Sequence, residues 1–280
     1  MILSDSHVHS TFSSDGSSTM EEHIRRGREL KLSSLCFTDH IDYGFPAEKY
    51  QMDFLFDMEE YFTAFQTMKQ NFPDFPLRIG VELGLKEDIL SDALALTSSY
   101  PFDFVIGSTH LVDNMDPYYE EYWETYGEAG GICRYFTVTY HNLFCGFDYD
   151  VYGHLDYVIR YCPTMKKARS CGKLSDSFFR ESLQDNRELI DEILLTLIKK
   201  NIGLECNTAG FKYGLGHTNP HELILSRYHE LGGQYLTIGS DAHETGHLAY
   251  DFAKVPELLR GCGFDRYTEY WGRKAVEVKL

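Results

Sequence analysis

The sequence predicts an α/β fold of alternating strands and helices around a buried parallel sheet, and three observations predict it. Seven short apolar runs recur along the 280 residues, most intervals between them are long enough for a helix, and every run ends in polar residues. Short apolar runs with polar ends read as strands buried on both faces, and helix-length intervals supply the crossovers that parallel strands need.

In chain order the runs fall at 1–3, 34–38, 77–81, 104–107, 151–153, 202–206 and 235–239. After the first, Ser18-Thr19-Met20-Glu21 has the form of a capping box, with Ser18 accepting from the first turn and Glu21 reaching back, before an amphipathic stretch to about Leu32. Residues 112–150 are the least regular and carry NMDPYYEEYWETYGEAGG; a structureless loop of that length is uncommon in a compact domain, so a part-helical insertion near the site mouth is expected. Residues 175–200 keep Leu183, Leu189, Ile190, Ile193, Leu194 and Leu197 near helical spacing. Asn219-Pro220 predicts a cap followed by the first helical position, and Val255-Pro256 a further helix start. No repeat, low-complexity tract or linker divides the chain, so residues 1–280 read as one domain.

Composition bounds the function. The chain is 43% apolar, enough for a substantial core, and its 43 acidic against 26 basic residues give a formal net charge of -17. Clustered Lys and Arg are what hold a phosphate backbone, so nucleic-acid binding by broad charge is not expected. Seven scattered cysteines without a CxxC pair suggest neither a disulfide framework nor a zinc ribbon, and a reducing cytoplasm fits them. The start MILSDSHVHS turns polar by residue 7 and no apolar run approaches membrane length, so neither export nor a membrane span is expected. Nothing indicates an oligomeric state.

The run ends carry the chemistry. They read DSHVH (Asp5, His7, His9), TDH (Asp39, His40), VELG (Glu82), STH (His110), GH (His154), ECN (Glu205, Asn207) and SDAH (Asp241, His243). In a β/α barrel the C-terminal strand ends meet at one mouth, so residues more than two hundred positions apart would converge. Residues two apart on an extended strand share a face, which lets both histidines of HVH address one ion. Imidazole nitrogen with carboxylate oxygen suits Zn, Fe or Mn. His23, His141, His217, His221, His229 and His247 lie outside the pattern and read as surface or packing residues. One more feature stands out: HLDYVIRY places a lone cation, Arg160, six residues after His154. A guanidinium matches phosphate oxygens in a two-pronged way, and the competing reading is a salt bridge on the outside of a following helix.

In order, DSHVHS, TDH, the isolated Glu and His, GH and SDAH resemble the motifs of the polymerase and histidinol phosphatase (PHP) superfamily, over essentially the whole chain. TDHIDYGFP, HLDYVIRY and LECNTAGFKYG make it most similar to the monofunctional histidinol-phosphatase branch. The resemblance implies a distorted TIM-like (β/α)7 barrel with a single mouth at the C-terminal strand ends. It implies three divalent ions: one on His7, His9, Glu82 and Asp241; a second on His110 and His154, with Glu82 bridging; a third on Asp15, His40 and His243. Asp15 departs from branches that place histidine there, and its carboxylate makes that site harder. Asp5 and Asp39 are read two ways, as carboxylates that orient a ligand histidine or as caps on local backbone.

The implied activity is hydrolysis of L-histidinol phosphate to L-histidinol and phosphate in histidine biosynthesis. Clustered divalent cations lower the pKa of a water toward ~7 and stabilise the entering and leaving oxygens of an in-line displacement. Glu82, Asp241 and His243 are the expected catalytic residues, the last two as candidates for moving a proton to the leaving oxygen. Arg160 is expected on the phosphate, with Asp42 and Asn207 on substrate and Tyr43, Phe45 and 118–122 as further liners. Two rivals stand beside this reading: a phosphoesterase for another small phosphate ester or nucleotide, and a non-catalytic metal-binding module. Against the module, every expected ligand position holds a competent ligand.

Overall fold

A computed structural model describes residues 2–172 and 176–280. Its strands are β1 (Ser4–Val8), β2 (Ser34–Phe37), β3 (His40–Ile41), β4 (Leu77–Gly84), β5 (Phe104–Ser108), β6 (Val151–Tyr152), β7 (Gly203–Asn207), β8 (Leu236–Gly239), β9 (Arg266–Trp271) and β10 (Lys274–Lys279). The helices are α1 (Met20–Glu29), α2 (Ala47–Tyr50), α3 (Met58–Asn71), α4 (Leu90–Ser99), α5 (Glu120–Tyr126), α6 (Glu128–Asn142), α7 (Pro163–Ser170), α8 (Asp176–Asp185), α9 (Arg187–Lys199), α10 (Ala209–Lys212), α11 (Glu222–Glu230) and α12 (Val255–Gly261).

The strands form one parallel sheet in the order β1-β2-β4-β5-β6-β7-β8. β2 pairs the lower part of β4, Leu35 with Leu77, while β3 pairs the upper part, His40 with Glu82, so β2 and β3 are two halves of one strand path broken at Thr38-Asp39. At the open side Val8 bridges Ala242, and His9 N–H to Ala242 O and Asp241 N–H to His7 O, both 2.9 Å, join β1 to the end of β8. The result is the expected seven-strand TIM-like barrel, nearly closed. Gly239 permits that seam: a Cβ there would lie 2.3 Å from His7 Cβ.

Several local expectations are corrected. The first run, whose Met1 lies outside the described residues, does not bound its strand; β1 begins at Ser4 and carries Asp5 and His7 within it. Polar strand residues are stable there because the barrel interior gives each a partner. The capping box sits one residue later, with Thr19 as cap and Glu22 reaching back, and Ser18 Oγ instead accepts the Thr245 N–H. Residues 175–200 form two helices interrupted at Asn186, with Ser175 outside the described residues. His221, not Asn219, caps α11 through its ring nitrogen, whereas α12 starts at Val255-Pro256 as expected. The 112–150 segment holds two helices, α5 and α6. The hairpin β9–β10 was not foreseen; Gly272 and Arg273, both at positive φ, make its two-residue turn. β9 seals the barrel floor, where buried Arg78 donates to Tyr270 O and to Ser4 and Ser6 hydroxyls. All seven cysteines are free, and among the described residues no helix is long and apolar enough to cross a membrane.

Candidate metal centre

The strand ends deliver their side chains to one mouth. β1 supplies His7 and leads into His9, β3 begins with His40, β4 carries Glu82, and the turns after β5, β6 and β8 supply His110, His154, Asp241 and His243. Two of these residues have left-handed backbones, His154 at φ 20° and Asp241 at φ 54°. Such conformations cost on the order of 1–3 kcal/mol and persist when neighbours overdetermine them. Here Glu205 accepts the His154 N–H at 2.9 Å, and Asp5 accepts from both Ser240 N–H and Oγ–H while His7 O accepts the Asp241 N–H.

The donor geometry fits ions. His7 Nε2 and His9 Nε2 lie 2.9 Å apart, Glu82 Oε2 is 3.1 and 3.4 Å from them, and Asp241 Oδ1 is 4.0 and 3.5 Å. Arms of about 2.1 Å give polyhedron edges of roughly 3.0–3.4 Å, so these atoms are spaced as ligands of one ion. The other carboxylate oxygen, Glu82 Oε1, faces His154 Nε2 at 2.7 Å and His110 Nε2 at 3.2 Å, so Glu82 stands between two donor sets. A third, looser set has Asp15 Oδ2 at 3.2 Å from His243 Nε2 and 3.9 Å from His40 Nε2. His40 turns its other nitrogen, Nδ1, toward Glu82 Oε2 at 3.1 Å, so its ring stands between the third set and Glu82.

The tautomers agree. His7 Nδ1 meets Glu205 Oε1 at 2.6 Å and His110 Nδ1 meets Asp42 at 2.9 Å, so in the neutral ring each would turn a bare Nε2 to an ion at the centre. Ser13 gives its hydroxyl proton to Asp39 at 2.9 Å and accepts from His9 Nδ1 at 3.1 Å, fixing His9 likewise. Asp5 and Asp39 therefore cap backbone N–H and serine hydroxyl groups, and only Asp39 reaches a ligand ring, through Ser13. The residues that orient ligands directly are Glu205 and Asp42. From sequence Glu205 is one of the polar strand-end residues, in Glu-x-Asn, and is assigned to none of the three ligand sets and to no orienting role.

Charge is balanced among these groups. Burial alone would raise the Glu82 carboxyl, but His7, His110, His40 and His154 outweigh it and hold it well below the carboxylate range. Burial would lower His7 and His40, yet the facing carboxylates raise His7 well above its usual value and His40 to about 9. His9 is pushed well down by burial and by His243, His40 and His7. Opposing burial, His7, His243 and Lys212 hold Asp241 below its ordinary range.

The centre opens into a cavity of about 620 Å³. Arg160 lines it from a tight turn at Tyr157–Tyr161, not from an outer helix surface, and is 5% exposed. Its guanidinium carbon sits 4.3 Å from the Tyr213 ring centroid, 4.8 Å from Tyr161 and 5.2 Å from Tyr157, and no carboxylate among the described residues pairs with it. Nη2 donates to Tyr161 Oη at 2.8 Å, and among the described residues Nε and Nη1 have no partner, which leaves donors for an anion. Lys212, which the sequence reading missed, also lines the cavity and donates to Asp241 O at 2.9 Å. Phe45, Tyr118 and Tyr119 line it as expected. Asp42 lines it too, but its carboxylate is engaged by His110. Asn207 corrects an expectation: it is fully buried beneath the ligands, its amide donating to Glu205 and Asp241 and its oxygen accepting from Ala209, so it supports ligands and is absent from the cavity wall. Tyr122 is likewise a core residue whose hydroxyl donates to Gly131 O.

Asp176, His217 and His221 also gather, outside this cavity. His221 Nδ1 accepts the Leu223 N–H, so its Nε2 carries the proton and donates to Asp176 Oδ1 at 3.0 Å. His217 donates Nδ1–H to Thr218 O. That group is complete as a helix cap and a hydrogen bond to Asp176.

Comparison with known proteins gives a consistent set. The PHP domain family is matched over residues 5–209. A histidinol-phosphatase of Lactococcus lactis subsp. lactis is 30% identical, with 98% of this chain and 97% of that protein covered, and a probable histidinol-phosphatase of Thermotoga maritima is 33% identical with 99% of each covered. The crystal structure of the histidinol phosphate phosphatase from Lactococcus lactis, complexed with Zn, L-histidinol and phosphate, superposes with a TM-score of 0.85 at 29% identity, covering 98% of both chains.

Proposed function

The chain belongs to the PHP domain family, and we propose that within it this protein is a divalent-metal-dependent phosphatase hydrolysing L-histidinol phosphate to L-histidinol and phosphate. The observation that carries the reading is the split Glu82 carboxylate, one oxygen toward His7 and His9 and the other toward His110 and His154, at the base of a cavity walled by Arg160. Full-length similarity to histidinol-phosphatases and the Zn, L-histidinol and phosphate held by the Lactococcus lactis structure support the substrate class. Zinc is the favoured ion, and the three donor sets are read as three sites, the Asp15 set completing them.

Bound ions would acidify a water for attack and offset the charge of the phosphoryl oxygens. The chain's residues do the rest. Arg160, kept charged and desolvated among three tyrosines, takes phosphate oxygens, with Lys212 as a second cation beside Asp241. Glu82 and Asp241 hold no proton at neutral pH because the histidines depress them, so neither is the resting acid. Asp241 is left to accept a proton transiently and return it toward the leaving oxygen, with His243 on the cavity wall beside it, Nδ1 3.4 Å from Asp241 Oδ1.

The test is phosphate release from L-histidinol phosphate, sugar phosphates, nucleotides and a dinucleotide. A clear preference for L-histidinol phosphate is expected. A preference elsewhere would overturn the substrate and leave the centre intact, whereas an inert protein with a full metal complement would make it a binding module.

A further inference from the structure

Resting on the L-histidinol phosphate reading, the geometry points to Asp116 as the specificity residue that receives the cationic end of the substrate. The substrate has an anionic head for the metal centre and Arg160, and a tail bearing an amine and an imidazole, so the same cavity must offer a carboxylate that nothing else occupies. Among the described residues lining the cavity, the other carboxylates are committed. Asp15 faces His243 at 3.2 Å, Asp42 holds His110, Asp241 belongs to the centre, and Glu244 pairs with His247 at 3.1 Å. Among the described residues Asp116 accepts only the Tyr118 N–H of its own turn, at 2.8 Å to Oδ1, and forms no ion pair.

Its placement is rigid. Val112 and Met115 exchange backbone hydrogen bonds just before it, its N–H donates to Tyr50 Oη at 3.2 Å, and its carbonyl accepts from Tyr119 N–H at 3.1 Å. Tyr50 in turn stacks on Tyr119 at 4.2 Å and donates to Glu121. A carboxylate fixed this way needs no reordering to bind, and the Tyr118 and Tyr119 rings beside it give an imidazole or ammonium aromatic surface to pack on. Lys166, the adjacent cation, is spent on the Tyr118 carbonyl at 2.6 Å. Burial raises the Asp116 carboxyl to about 6, so it is charged at neutral pH but poorly compensated, a state that a cationic guest relieves.

The experiment compares wild type with Asp116→Asn on L-histidinol phosphate and on p-nitrophenyl phosphate, whose tail is uncharged. Removing one charge-assisted contact should lower the ratio of the two kcat/KM values at least tenfold, mainly through KM for L-histidinol phosphate, and weaken competitive inhibition by L-histidinol to a similar degree. A purely structural role would depress both substrates together and leave the ratio unchanged; that result, or no loss at all, overturns the assignment. If the wild type itself shows no preference for L-histidinol phosphate, the functional reading fails first, and the assignment with it, so the two failures are told apart by the wild-type measurement.

Discussion

Glu205 places Oε1 2.6 Å from His7 Nδ1 and uses Oε2 to hold the His154 backbone N–H at 2.9 Å. One buried carboxylate thus sets the tautomer of a ligand on β1 and the strained backbone of a ligand after β6. Glu205→Gln keeps the volume but replaces one acceptor with a donor that faces either His7 Nδ1–H or the His154 N–H. Loss of such a partner typically costs 10–100-fold in metal affinity. Competition against a chelator should show that weakening with little change in circular dichroism; unchanged affinity would remove Glu205 from the centre.

Arg160 is the cation on which phosphate recognition depends most in this arrangement. A charge-assisted hydrogen bond is worth about 1.5–3 kcal/mol, so Arg160→Ala should lower kcat/KM roughly 10–100-fold at unaltered metal content. Arg160→Lys should recover only part, because an ammonium lacks the planar fork and stacks poorly between Tyr157, Tyr161 and Tyr213. Wild-type kinetics in the alanine variant would return Arg160 to a packing role.

The barrel and its ligands were legible in sequence because both depend on strand ends: each buried strand carries a short apolar run, and most ligands lie at or just past the end of one. What was illegible depended on contacts between distant segments. Asp5 and Asp39 look like orienting carboxylates beside histidines, yet the donors they hold are the hydroxyl and N–H of Ser240 and the N–H of Ser10, far away in the chain. Asn207 sits on a strand end like the ligands but points beneath them, a matter of depth that no spacing encodes. The β9–β10 hairpin was harder to read: RYTEYW does not alternate strictly, because all four residues 267–270 of β9 are buried against the barrel while β10 stays largely exposed.

The third donor set differs from the first two in being looser and partly exposed. Asp15 lies 3.2 Å from His243 but 3.9 Å from His40, and its side chain is 34% exposed. Asp15→Asn should therefore release one ion while the sets around Glu82 stay filled, read as a fall of one equivalent in elemental analysis after dialysis. Retention of every ion would show that Asp15 is not a ligand.

His217 gives a prediction on stability away from the centre. Burial lowers its pKa to about 4 against an ordinary 6.5, opposed by the carbonyl of Thr218 that accepts its Nδ1–H. It is packed against Phe179, with ring centroids 4.2 Å apart. The folded state holds His217 neutral while the unfolded chain takes up a proton below about pH 6.5, so the stability it contributes is full above that pH and is lost as pH falls toward 4. Between pH 8 and pH 5 the loss is on the order of 2 kcal/mol. His217→Asn can keep a donor near the Nδ1 position but cannot titrate, so urea unfolding of the variant should lose that much less over the same interval. Comparing the two slopes cancels any constant cost of the substitution and the titration of the other histidines. Equal slopes would mean that His217 is not held neutral in the folded protein.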